Sequence, residues 1–92
     1  MNDWRPADSG LVVAAAAGDD VATSRLGDRW LPVVLRWSNR LSGPKVDPED
    51  AAHDAMMIVL RRLPDLRDPE AFPAWTYGIL RRTIAATAAR PG

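Results

Sequence analysis

The side chains best suited to binding another molecule lie between residues 47 and 82. Residues 47–54 contain four acids and no lysine or arginine, whereas residues 72–82 interleave aromatic side chains with arginines. Carboxylates on an exposed helix face can pair with arginines of a protein partner. Flat rings beside cations suit the bases and phosphates of single-stranded nucleic acid. The two segments therefore predict two binding surfaces, one for a protein and one for nucleic acid.

Catalytic and metal chemistry have little support in this chain. It contains one histidine, His53, and no cysteine. No nucleophile and base stand out as a pair, and no glycine-rich phosphate loop is present. Without thiolates and with a single imidazole, the sequence offers no set of metal ligands typical of zinc sites. We therefore expect no catalytic residue, no metal site and no cofactor, and the protein is not expected to be an enzyme.

Composition indicates one globular domain, since 47 % of the 92 residues are hydrophobic. Twelve basic and twelve acidic residues cancel, so the domain as a whole does not attract nucleic acid. Acids also favour helix N-termini and bases favour C-termini in proteins generally. The placement of the charges is therefore equally consistent with an ordinary solvated surface. No signal peptide is evident, and no uncharged run is longer than residues 9–18, which are too few to span a bilayer. We expect a cytoplasmic protein without membrane insertion.

The first half of the chain predicts two helices after a flexible N-terminus at residues 1–8. Asp8 or Ser9 should cap the first, which should run from about residue 10 to residue 17 and end at Gly18. The second should be capped by Asp19 or Asp20 and carries apolar residues at helical spacing. Pro32 lies in the middle of that pattern, so a kink or a split into two collinear pieces is expected.

The third helix has the clearest start in the sequence. Asp47 should cap it, Pro48 should occupy its first position, and Pro64 should end it. A buried stripe is predicted at Ala52, Ala55, Met56, Val59, Leu60 and Leu63. The opposite, exposed side should present Asp50, Asp54, Met57 and Arg61, with Glu49 and His53 next to them.

The fourth helix should follow a loop at residues 64–70 and continue to about Ala89. Trp75 shares an apolar stripe with Phe72, so it is expected in the core instead of serving as a platform for bases. Tyr77 lies off that stripe and is the better candidate for stacking. Because no strand pattern occurs, the predicted fold is all-α, a small bundle of about four helices.

Four motifs occur in a fixed order along the chain. They are Ala17-Gly18-Asp19, the helix segment Trp30-Leu31-Pro32-Val33-Val34-Leu35-Arg36, the start Asp47-Pro48-Glu49-Asp50, and the set Phe72, Ala74, Trp75, Tyr77, Ile79 and Arg81. In this order and register they resemble region 2 of bacterial sigma factors of the extracytoplasmic-function type. The resemblance covers residues 9–90 and implies a sigma factor region 2 fold.

The resemblance implies a role in transcription initiation. In such proteins the third helix docks on the coiled coil of the RNA polymerase β′ subunit, and the following loop and helix hold the non-template strand of the minus-ten promoter element. The residues implied for polymerase binding are Asp50, His53, Asp54, Met57 and Arg61. Those implied for DNA binding are Arg67, Asp68, Glu70, Phe72, Tyr77, Arg81 and Arg82. An anti-sigma factor is a further expected partner.

Departures from the family pattern predict weak DNA binding. Pro73 and Gly78 lie where the family often has arginine, and His53 and Asp54 replace glutamine and glutamate. No helix-turn-helix region 4 domain follows, so an excised domain or a naturally short protein is expected. Alternatively, the protein has the same fold but is an interaction module that binds only polymerase or an anti-sigma factor. Tyr77 and the arginines favour DNA binding over that module, whereas the zero net charge favours the module.

Overall fold

Four α-helices and two short 3-10 turns account for the architecture. A computed structural model describes residues 3–91. The helices are α1 (Pro6–Ala16), α2 (Asp20–Leu41), α3 (Pro48–Arg62) and α4 (Phe72–Ala88), and the turns are Leu63–Asp65 and Pro69–Ala71. No strand occurs in this part of the chain. The predicted all-α bundle is therefore confirmed.

Aspartates begin the two helices that form the centre of the bundle. The Asp19 carboxylate accepts a hydrogen bond from the backbone of Ala22 at 3.0 Å and caps α2. The Asp47 carboxylate accepts from the backbone of Glu49 at 2.9 Å and caps α3, with Pro48 at its first position. These caps satisfy backbone N–H groups that have no partner within the helix. Both predicted helix starts are confirmed.

Helix α1 begins at Pro6, earlier than the predicted start at residue 10. The proline occupies the first turn, where its missing N–H costs no hydrogen bond. Asp8 lies inside that turn and accepts a hydrogen bond from the backbone N–H of Arg5 at 2.7 Å. The predicted flexible segment, residues 1–8, therefore overlaps α1, while its residues 1 and 2 lie outside the described part of the chain.

Helix α2 continues through Pro32 without a break. Pro32 is exposed, whereas Trp30, Val33 and Val34 on the opposite side are buried. The proline therefore lies on the solvent side, where water can satisfy the carbonyl that it leaves unpaired. Of the two predicted outcomes, a split into two helices is wrong.

The core lies among all four helices and is richest in aromatic side chains around Trp30. Trp30 is fully buried and packs edge-on against Phe72 at 5.2 Å between ring centroids. Trp37 and Trp4 lie at 6.1 and 6.0 Å from the same ring. Aromatic pairs at such separations add stability beyond the burial of their area. This cluster joins the N-terminal segment, α2 and the start of α4.

A hydroxyl group fixes α3 relative to α2. Ser38, near the end of α2, is completely buried and donates to the carbonyl oxygen of Pro48 at 2.7 Å. That carbonyl belongs to the first turn of α3, so the bond sets where the third helix starts. A buried hydroxyl without such a partner would be costly.

The predicted core of α3 and α4 is largely but not wholly confirmed. Leu60 and Trp75 are only half-buried, although both pack against the core. Thr76, which no apolar pattern includes, is fully buried. The buried side of α4 is therefore rotated slightly from the side that its apolar residues predict.

Candidate functional site

The outer side of α3 forms an exposed surface, here called the acidic face, made of Asp50, His53, Asp54, Met57 and Arg61. All five side chains are exposed, and 64 % of Met57 is accessible to solvent. The carboxylates of Asp50 and Asp54 form no hydrogen bond or ion pair with other residues in the described range 3–91. They are therefore free to pair with a partner.

Helical geometry places these groups in one row. Residues three or four apart are neighbours on a helix surface, so Asp50 and Asp54 lie one turn apart and Met57 follows them. His53 lies beside this row, and its Nδ1 is 2.9 Å from the carbonyl oxygen of Glu49. The sequence prediction that these side chains share the exposed side of the third helix is confirmed.

Shallow grooves run on both sides of the acidic face. One lies between α2 and α3 and is lined by Thr23, Ser24, Gly27, Asp28, Leu31, His53, Met56, Met57 and Leu60. The other lies between α3 and α4 and is lined by Asp54, Met57, Ile58, Arg61, Thr83, Ala86, Thr87 and Arg90. Met57 borders both grooves. An exposed, adaptable methionine in such a position can contact side chains of different shape.

The second candidate surface is the loop–α4 segment, residues 67–82. Its loop is shaped by Asp68, whose carboxylate accepts from the backbone N–H of Glu70 at 3.0 Å and so forms the turn Pro69–Ala71. The Glu70 carboxylate accepts hydrogen bonds from Trp4 Nε1 at 3.2 Å and from the Ser9 hydroxyl. Both acids of the loop therefore have partners within the protein.

The cations of this segment are exposed. Arg67 is exposed and makes no ion pair within the described range. Arg81 and Arg82 line a shallow depression on α4 together with Gly78 and Ala85. A methyl group added at Gly78 would lie 3.6 Å from the Arg82 guanidinium. The side chain of Arg82 therefore extends back along the helix towards Gly78.

The aromatic residues of the loop–α4 segment differ in how much of each ring is accessible to a partner. Tyr77 is half-buried and packs edge-on against Trp37, with 5.3 Å between ring centroids. Phe72 is completely buried in the aromatic cluster. The expectation that Phe72 contacts DNA is therefore corrected: its side chain has no accessible surface, because it fills the core beneath the loop. Tyr77 keeps an accessible portion of its ring.

An ion pair joins α1 to α2 although no sequence pattern predicts it. Asp8, 2 % exposed, faces the Arg29 guanidinium at 3.4 Å, and that guanidinium lies 5.2 Å from the centre of the Trp30 ring. By sequence, Asp8 is a candidate helix cap, and Arg29 is a charged residue between the apolar residues Leu26 and Trp30. Nothing in the spacing of two residues on different helices could have paired them.

Two negative findings concern the described part of the chain. Residues 3–91 contain no cluster of histidine and acidic side chains that could hold a metal ion. None of the helices in that range is both long enough and apolar enough to cross a membrane.

Comparison with known proteins gave one match. The family model Sigma-70 region 2 matches residues 26–90, which begin inside α2 and include all of α3 and α4. Searches of the curated proteins and of the solved structures found no match. Both candidate surfaces lie within the matched residues.

Proposed function

Because this chain belongs to the Sigma-70 region 2 family, whose members are non-enzymatic domains of transcription initiation factors, we propose that it comes from a sigma factor of the extracytoplasmic-function type. The acidic face docks on the β′ coiled coil of RNA polymerase. The loop–α4 segment holds the non-template strand of the melted minus-ten element. The observation that carries this proposal is the row of exposed, unpaired carboxylates on the matched helix α3.

Docking through the acidic face follows from its charge and shape. Asp50 and Asp54 can accept charge-assisted hydrogen bonds from arginines on a helix that runs along α3. Since neither carboxylate has an internal partner, binding breaks no existing bond. Met57 supplies an apolar contact between the two grooves, and its long exposed side chain can be buried by the partner. Charge steers the encounter, while burial of Met57 stabilises the complex.

DNA binding rests on few groups. Tyr77 offers part of its ring to a base, and one stacked base is worth about 1–3 kcal/mol. Arg67, Arg81 and Arg82 can each neutralise a phosphate. With so few cations and no net charge, the isolated domain binds DNA weakly, and polymerase docking brings it to the promoter.

The cellular setting follows from the same proposal. A protein that docks on RNA polymerase and reads promoter DNA acts in the cytoplasm. An anti-sigma factor that covers the acidic face would block docking by competing for Asp50 and Asp54. This competition requires no change in the fold.

A second candidate is an interaction module that binds only protein. The observation that favours it is the small number of available DNA-binding groups, since Phe72 is buried and Asp68 and Glu70 already have internal partners. Such a module would bind its partner through the acidic face, so substitutions in the loop–α4 segment would not change its affinity.

Fluorescence anisotropy with labelled oligonucleotides separates the two candidates. For a single strand, the logarithm of affinity falls with the logarithm of salt by about 0.7 per neutralised phosphate. Three arginines therefore predict a slope of about 2 and stronger binding to a single strand than to duplex. Equal affinity for both forms, or no measurable binding to either, would favour the protein-only module.

A further inference from the structure

The start of the chain is bonded to the loop that precedes α4. We call Trp4, Asp8 and Ser9 the N-terminal brace. The Trp4 indole N–H donates to Oε1 of Glu70 at 3.2 Å, and the Ser9 hydroxyl donates to Oε2 of the same carboxylate. The Trp4 ring also packs against Phe72, with 6.2 Å between centroids. The brace therefore contacts both the loop and the first residue of α4.

Helix α2 anchors the brace from the other side. Asp8 is 2 % exposed and accepts both from the backbone N–H of Arg5 at 2.7 Å and from the Arg29 guanidinium at 3.4 Å. Arg29 also donates to the carbonyl oxygen of Asp3. A half-buried arginine with these partners holds the beginning of α1 against α2. The brace is thus fixed to the bundle before it meets the loop.

The bonds at Glu70 are at odds with a direct DNA contact by its carboxylate. Each of its two oxygens already accepts a hydrogen bond from the brace. A carboxylate facing the phosphates of a single strand would also repel them. Asp68, the other acid of the loop, caps the turn that contains Glu70: its Oδ1 accepts from the Glu70 backbone N–H at 3.0 Å. Both acids therefore act on the shape of the loop.

Building on the proposed function, we propose that the N-terminal brace sets the conformation of the DNA-reading loop through Glu70. Glu70 is then a positioning residue instead of the DNA contact expected from the sequence. A loop held in one conformation before binding loses less entropy on binding and discriminates more sharply between bases. Residues outside the matched range 26–90 thereby contribute to promoter selectivity.

Hydrogen exchange in the DNA-free protein tests the brace itself. Glu70→Ala removes both acceptors, and the double variant Trp4→Phe with Ser9→Ala removes both donors while keeping a ring at position 4. Each should speed exchange of the Glu70 and Ala71 amides about tenfold, as expected when a hydrogen bond to a charged group is lost. Glu70→Gln, which retains an acceptor and a polar group, should restore most of the protection. Asp65→Ala is the control: this acid belongs to the preceding turn Leu63–Asp65 and pairs with Arg62, so its loss should leave these amides unchanged.

Selectivity among single-stranded DNA sequences tests whether the N-terminal brace contributes to DNA recognition. The readout is the ratio of affinities for the tightest and weakest oligonucleotides drawn from a randomised pool. Glu70→Ala and the Trp4/Ser9 double variant should reduce this ratio equally, by about threefold or more, which corresponds to a modest change in loop order. Polymerase binding should remain unchanged in both.

The outcomes divide cleanly. Unchanged exchange in Glu70→Ala overturns the brace and leaves the proposed function intact. A change of selectivity in Glu70→Ala that the Trp4/Ser9 double variant does not share would make Glu70 a DNA contact and overturn its positioning role. If the parent protein binds no single strand, the proposed DNA function fails, and the role of the brace in selectivity fails with it.

Discussion

The acidic face and the loop–α4 segment are built on neighbouring helices in opposite ways. On α3, the carboxylates of Asp50 and Asp54 project from a regular helix and have no partners within the described chain. In the loop–α4 segment, Asp68 and Glu70 are hydrogen-bonded internally, and Phe72 is fully buried. One surface is a set of free groups on a rigid support. The other is a small number of free groups on a loop that the rest of the protein holds in shape.

The two surfaces should therefore respond differently to mutation. A free group on a helix contributes directly to binding, so its replacement changes affinity and leaves the fold intact. A group that shapes a loop acts through its neighbours. Its replacement makes the loop less ordered, and binding weakens as a consequence. The loop–α4 segment should therefore be sensitive to residues far along the chain, whereas the acidic face should not.

The largest expected effect removes the support that both surfaces share. Trp30→Ala empties a fully buried site that touches the brace, α2 and α4, and such truncations cost about 3–5 kcal/mol. That is comparable with the whole stability of a small domain, which starts at about 5 kcal/mol. Urea unfolding followed by circular dichroism should show a largely unfolded variant.

Trp75→Ala is the matched comparison for Trp30→Ala. Trp75 is only half-buried, so a loss of about 1–2 kcal/mol is expected and the variant should remain folded. The expectation from sequence that Trp75 lies in the core is confirmed only in part, because the ring packs against the core without being fully buried. Equal destabilisation of the two variants would contradict the burial seen for these rings.

An added cation on α4 should strengthen DNA binding by the loop–α4 segment. Gly78→Arg adds a cation beside Arg81 and Arg82, and a side chain at position 78 meets the Arg82 guanidinium only at ordinary contact distance, 3.6 Å. The salt slope for single-stranded DNA should rise by about 0.7, the value for one additional phosphate contact. Gly78→Ala is the control, because it can stabilise the helix by up to about 1 kcal/mol without altering the slope. If both variants change the slope equally, the depression at Gly78 does not face phosphate.

The smallest effect concerns the support of the acidic face. Asp47→Ala removes the cap that accepts from the backbone of Glu49 and Asp50, at a cost of about 1 kcal/mol in the free energy of unfolding. Asp47→Ser retains a capping oxygen and should recover most of that loss. Chemical denaturation measures both. A loss that serine does not recover would mean that the charge of Asp47, and not its cap, stabilises α3.

Regular periodicity made the acidic face predictable from sequence. Asp47 and Pro48 mark the start of α3, and the apolar stripe through Ala52 and Val59 fixes which side is buried. Once that side is known, the exposure of Asp54 and Met57 follows. The family match over residues 26–90 agrees with the fold predicted from the same patterns.

The details of the loop–α4 segment and of the brace depend on contacts between residues distant in sequence. Asp8 and Glu70 look like ordinary acids at helix starts, and only tertiary structure pairs them with Arg29, Trp4 and Ser9. Pro6 was also a sufficient signal for the start of α1, since proline favours the first turn. The prediction of a cap at Asp8 or Ser9 is wrong because both residue types are common at caps, whereas here Arg5 is the N-cap.

If the two surfaces serve different partners, a paired binding experiment should separate them. The variant Asp50→Arg with Asp54→Arg and the variant Tyr77→Ala with Arg81→Ala are each titrated against the β′ coiled coil and against a labelled single strand. Asp20→Arg with Asp65→Arg, exposed acids away from the acidic face, controls for the change in charge.

Each variant should lose one partner and keep the other. The Asp50/Asp54 variant should lose binding to the coiled coil, because opposed like charges cost several kcal/mol, and should retain DNA binding and helical circular dichroism. The Tyr77/Arg81 variant should lose the single strand and retain the coiled coil. Undiminished binding of the Asp50/Asp54 variant to the coiled coil, or loss of both partners by one correctly folded variant, would contradict the assignment of the two surfaces.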